Sequence, residues 1–112
     1  MKLPNAENAI VAREKIEDYL LNAAHPDNGG KANFFETFGF QRSAWLILAT
    51  ALQTFARTTD VMQHFKSPHG QKFILVGRLE TPSGKRPWLQ TIWIVDNGSD
   101  VARLVSAYPH ED

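Results

Sequence analysis

The sequence predicts an α+β fold: three N-terminal helices packed on one face of a four-stranded antiparallel meander sheet. Three observations carry this. Up to about residue 57, apolar residues recur at helical spacing. From Val61 the period drops to two, and four apolar-rich runs follow, separated by tight-turn sequences. The chain is 112 residues long, the size of one domain of about 100–150 residues, so residues 1–112 are read as a single α+β domain.

Taken in order, Leu3-Pro4-Asn5 is an extended lead-in, and Ala9-Ile10-Val11 either pairs with a sheet edge or begins a helix. Residues 12–22 read as the first helix, with Ile16 and Leu20 on its apolar face, Tyr19 beside them, and Arg13, Glu14, Glu17 and Asp18 opposite. Lys15 lies one residue off that stripe, where its stem can run along the apolar surface. A short second helix at about 32–38 ends at Gly39. The third, at about 42–57, buries Trp45, Leu48, Leu52, Phe55 and Ala56. The strands are read at 61–66, 72–80, 88–95 and 101–108, and Phe73, Leu75, Ile92 and Ile94 are expected to include positions on the helix-covered face.

Composition excludes several classes. With no cysteine there is no disulfide framework, thiolate zinc site or cysteine nucleophile, and the balance leans to a cytoplasmic protein. The stretch MKLPNAENAIVARE has no apolar h-region, and the apolar run Ala44–Leu52 is far short of a membrane span. Lys plus Arg and Asp plus Glu number 12 each. The C-terminal half nevertheless leans basic: Lys66, Lys72, Arg78, Lys85, Arg86 and Arg103 stand against Glu80, Asp96 and Asp100. That bias permits contact with phosphates without demanding it.

The most informative stretch is 18–40, DYLLNAAHPDNGGKANFFETFGF. His25 and Lys31 flank a polar turn with Asn28, Gly29 and Gly30. Leu20 and Leu21 anchor one side of the turn, and Phe34, Phe35 and Phe38 anchor the other. A loop pinned at both ends presents polar groups with little wobble, and an imidazole beside an ammonium suits an anion. The competing reading makes His25 a solvated turn residue. His64 and His69 straddle the first hairpin and His110 is in the tail, so no metal-ligand spacing occurs and neither metal nor cofactor is expected. Gly29-Gly30-Lys31 lacks the spacing and preceding strand of a phosphate loop. What remains is His25, Lys31 and Lys15 with Arg78, Thr91 and Ser106 on the strands, the two hydroxyls being read as facing a groove. This inventory suits RNA transesterification, which needs a base for the ribose 2′ proton, an acid for the 5′ oxygen and donors for the phosphorane.

The blocks LPNAENAIV, KIEDYLLN, HPDNGGKANFF with TFGF, TIWIV and RLVSAYP, in this order, resemble an uncharacterised bacterial domain family. Its members occur as small stand-alone proteins and as C-terminal domains of larger secreted toxins. That family in turn resembles the metal-independent RNases that include barnase, the EndoU nucleases, the tRNA-cleaving colicins and the RelE toxins. The resemblance implies N-terminal helices before a four-stranded antiparallel sheet, with catalysis by Lys15, His25, Lys31 and the hydroxyl of Ser106. The family's usual residue at this last position is threonine, so serine keeps the donor but loosens its rotamer.

The reading is a cytoplasmic or delivered endoribonuclease toxin. RNA is its substrate, Arg78 and Thr91 contact that substrate, and a cognate antitoxin or immunity protein neutralises it. The alternative is a non-catalytic interaction module of a two-protein bacterial operon, which the near-zero net charge favours. A small-molecule-binding domain with a site between sheet and helices is a third reading.

Overall fold

A computed structural model describes residues 1–110. Four strands, β1 (Val61–Ser67), β2 (Gly70–Arg78), β3 (Trp88–Asp96) and β4 (Ala102–Pro109), form one antiparallel sheet in sequence order. The longest helix, α3 (Trp45–Thr58), follows a 3-10 turn at Arg42–Ala44 and supplies Leu48, Ala49, Leu52, Phe55 and Ala56 to the core. The helix α2 (Lys31–Thr37) adds Ala32 and Phe35.

The register decides which side chains meet this core. Phe73 stands opposite Trp93, Leu75 opposite Thr91, and Thr91 opposite Ala107. All five are buried, and the Trp93 indole N–H donates to Thr91 Oγ1 at 2.8 Å. Phe73 and Leu75 thus lie on the covered face. Ile92 and Ile94 point to the other side, because Ile92 pairs with Ile74 and Ile94 with Lys72. A bulge in β4 between the Ile92–Ser106 and Trp93–Leu104 pairs sets Ser106 and Tyr108 on that same open face.

The expected arrangement of three N-terminal helices on one face is corrected. The helices stand in the middle of the chain instead of opening it. Residues before them make one 3-10 turn at Ala6–Asn8 and visit both edges of the sheet. Lys2 bridges Asp60 beside β1, while Ile10 bridges Arg103 in parallel beside β4. Backbone bonds of 2.7 Å from Val61 N–H to Met1 O and 2.8 Å from Ile10 N–H to Ala102 O fix the two contacts. An uncovered strand edge is a template for unwanted pairing, and this segment occupies part of each. The helix read at 12–22 is also irregular. A single α turn, α1 (Arg13–Lys15), opens into a π turn at Ile16–Leu20. Its closing bond runs from Leu21 N–H to Ile16 O at 2.8 Å. Nor does every helical residue stay on one face, since Tyr19 reaches Ser106 on the open side.

The π turn matters because of what it leaves behind. The carbonyls of Tyr19 and Leu20 at its end accept bonds from the Asn28 Nδ2 amide at 2.6 and 3.3 Å. Asn28 Oδ1 accepts from the Ala32 N–H at 3.0 Å, inside the first turn of α2. One buried amide therefore ties the end of one helical element to the start of the next. Gly29 and Gly30 make the return possible with φ of 61° and 87°, values that cost a side-chain-bearing residue about 1–2 kcal/mol.

Replacing Asn28 with alanine strands the Ala32 N–H and the Leu20 carbonyl, and leaves the Tyr19 carbonyl with only its bond from the Asn22 N–H. Chemical denaturation of Asn28→Ala is expected to show a loss of about 2–3 kcal/mol. A second expectation concerns acid. Hydrogen bonding to Arg103 holds the Asp96 carboxyl below its usual range, and Lys2 does the same for Asp60. A carboxyl depressed in the folded state contributes stability above its unfolded value of about 3.9, and that contribution is lost as pH falls through the folded value. The melting temperature of Arg103→Ala should therefore fall less steeply than the wild type's below about pH 4.

Candidate functional site

The polar residues of the anchored loop meet the open sheet face around one ring, that of Tyr19. Its position is set from behind, where Ile16 and Leu20 are fully buried and Asn28 grips the Tyr19 carbonyl. The Tyr19 and Ser106 hydroxyls are hydrogen-bonded at 3.2 Å. The His25 ring meets the Tyr19 ring edge-on, with centroids 5.1 Å apart. The ammonium groups of Lys15 and Lys31 lie 5.2 and 5.4 Å from the Tyr19 centroid. Lys31 also stands 5.9 Å from the ring of Tyr108, which belongs to the open face of β4.

Lys31 is held in place by carbonyls. Its Nζ donates to Asn28 O at 3.1 Å and to Asp27 O at 3.5 Å. Among the described residues the ion pairs are Lys2–Asp60, Arg13–Glu17, Arg42–Asp18, Arg86–Glu80 and Arg103–Asp96. Neither Lys15 nor Lys31 belongs to one. Two ammonium groups sit over aromatic faces, which attract cations without neutralising them. A region with that much uncompensated positive charge attracts an anion.

The tautomer of His25 follows from its neighbour. Its Nδ1 accepts the Asp27 N–H at 3.0 Å, so the neutral ring carries its proton on Nε2. Proton transfer through Nε2 as a base requires Nδ1 to take the proton and the Asp27 bond to open. Asp27 is on the exposed part of the loop, so this rearrangement exposes no buried group. Serine at 106 does not swing freely either, because Tyr19 fixes its hydroxyl.

His25, Lys31, Lys15 and Ser106, far apart in sequence, are thus brought together. Arg78 and Thr91 are elsewhere. Thr91 is fully buried on the covered face, where its hydroxyl accepts from Trp93. Arg78 lies at the far end of the open face, over the Trp88 ring at 5.5 Å. His64 stacks on Phe73, away from the cluster. Among the described residues, no three His, Asp or Glu side chains gather as metal ligands. No helix there is long and apolar enough to cross a membrane.

Sequence reasoning missed Tyr19 and Tyr108 as site residues, along with Gln90, whose Nε2 donates to Tyr108 Oη at 2.6 Å. The available signal was a tyrosine interrupting an apolar stripe, a residue type with an apolar body and a polar tip that needs a partner.

No curated protein matches the chain. Among solved structures, it is similar to a chain of the "Contact-dependent growth inhibition toxin - immunity protein complex from Klebsiella pneumoniae 342". The two are 16% identical, with a TM-score of 0.74 over 96% of this chain and 97% of that one. At this identity the likeness is one of fold. Residues 2–111 match the family described as "Domain of unknown function (DUF6883)", and the chain belongs to that family.

Proposed function

We propose that this chain is a toxin of the metal-independent endoribonuclease type, cleaving RNA by 2′-hydroxyl transesterification and held in check by a cognate protein. The observation that carries the reading is the cluster around Tyr19: two ammonium groups with no carboxylate partner among the described residues, one imidazole and one fixed hydroxyl beside an open sheet face. The toxin–immunity complex among its structural neighbours supports the toxin association and a protein partner. The RNA substrate rests on the chemistry of the cluster and on the resemblance to the RNase superfamily.

In this reading the ribose 2′ oxygen attacks phosphorus, the bond to the 5′ oxygen breaks, and a 2′,3′-cyclic phosphate remains. His25 takes the 2′ proton, through Nε2 with the Asp27 bond opened, and the imidazolium returns it to the leaving 5′ oxygen through solvent. Lys31 and Lys15 face the negative charge that builds on the phosphorane oxygens, the role in which preorganised donors contribute most. Ser106, oriented by Tyr19, gives a further hydrogen bond. Because the lysines supply the charge stabilisation, the reaction needs no divalent ion.

A second reading keeps the fold and drops the chemistry, making the chain a non-catalytic immunity-like or interaction module. The near-zero net charge favours it, as does the engaged Nδ1 of His25.

The test is cleavage of total RNA in excess chelator, by the wild type and by His25→Ala. The ribonuclease reading predicts cleavage by the wild type and a loss of about 10²–10⁴-fold in the variant. Thermal melts should show the variant folded, with the edge contact to Tyr19 and the bond from the Asp27 N–H lost, each worth about 0.5–1.5 kcal/mol. Equal cleavage by both proteins would remove His25 from the mechanism. No cleavage by a folded, partner-free wild type would favour the interaction module.

A further inference from the structure

We infer that the open face of the sheet next to the Tyr19 cluster is a stacking strip for single-stranded RNA. Trp88 is its base platform, and Arg78 and Lys85 are its flanking phosphate contacts. The inference rests on the ribonuclease reading and extends it to the form of the substrate.

The strip is continuous with the cluster. Lys31 stands over Tyr108, Tyr108 accepts from Gln90, and Gln90 lies two residues from Trp88 on the same face of β3. Trp88 pairs with Arg78 across the sheet, and the guanidinium sits 5.5 Å from its ring. Tyr108 and Trp88 are diagonal neighbours, a relation that separates residues by about 7–8 Å. Two stacked base steps at about 3.4 Å each cover nearly that distance. Trp88 is 37% exposed although it is a large apolar residue. A planar aromatic left open beside a cation is what an unpaired base stacks on.

Among the described residues, charge agrees with this occupant. Lys85 is exposed in the loop that leads into β3, and Arg78 Nε is steadied by the Arg86 carbonyl at 2.8 Å. The nearby carboxylate of Glu80 is neutralised by Arg86 at 2.9 Å, and Asp96 at the other end of β3 is neutralised by Arg103 at 2.7 Å. A duplex keeps its bases stacked on one another and has none to offer Trp88, so the strip selects single strands.

The experiment uses the full chain carrying His25→Ala, to prevent cleavage, and a fluorescein-labelled RNA of about eight nucleotides. Fluorescence anisotropy should show the single strand bound more tightly than the matching duplex. Adding Trp88→Ala should weaken single-strand binding about tenfold, and Trp88→Phe should restore most of it. Arg78→Ala should lower the slope of log affinity against log salt by about 0.7. Melts of each variant control for folding. Equal single-strand affinity with and without Trp88, or a duplex preferred over the single strand, would overturn the strip. The two readings fail separately. Trp88-dependent binding by a wild type that cleaves nothing would overturn the ribonuclease reading and leave the strip. Cleavage by a wild type whose binding ignores Trp88 would do the reverse.

Discussion

The candidate site depends on one buried amide. Asn28 bonds to two carbonyls at the end of the π turn and to an N–H in the first turn of α2. Between these anchors the path is held by turn bonds from the His25 N–H to Asn22 O, the Asn28 N–H to His25 O and the Lys31 N–H to Asn28 O. His25 rides on that path, Lys31 closes it, and Tyr19 is fixed at its base. Without the amide, a proline- and glycine-bearing loop has many conformations, and ordering each residue costs about 1–2 kcal/mol of backbone entropy. The cluster is therefore preorganised by the fold, a condition that charge-stabilising sites require.

Tyr19 converts that constraint into a site. Its ring holds two cations and one imidazole at about 5 Å without neutralising them, and its hydroxyl fixes Ser106. A carboxylate in its place would have paired with the lysines and removed the positive field. The aromatic leaves them oriented and still available to an anion.

Much of the sheet was legible because a strand period of two is a local property. Its faces were less so. The β3 sequence WLQTIWIV is apolar on both sides, and only pairing with Phe73 and Leu75 assigns Trp93 and Thr91 inward and Ile92 and Ile94 outward. The bulge in β4, which puts Ser106 on the open face, is equally invisible to periodicity. At the N-terminus the helical spacing of Ile16 and Leu20 was real. The π turn that carries them, however, is stabilised by Asn28 from farther along the chain, a tertiary effect that propensity does not contain. The convergence of His25 and Lys31 was readable from their anchored loop. Tyr19 and Tyr108 were not, because their roles depend on which face of the sheet the loop covers.

His25, Lys31, Lys15 and Ser106 are gathered around Tyr19, and we propose that they act as one anion site. The most direct measurement is an NMR titration of the labelled protein with a dinucleotide whose 2′ oxygen is absent, so that it binds without reacting. The account predicts saturable shifts at His25, Lys31, Ser106 and Tyr19 with one common dissociation constant, and little change at His64 and His69 on the hairpin. Shifts centred on the hairpin histidines, or His25 and Ser106 responding with different constants, would contradict it.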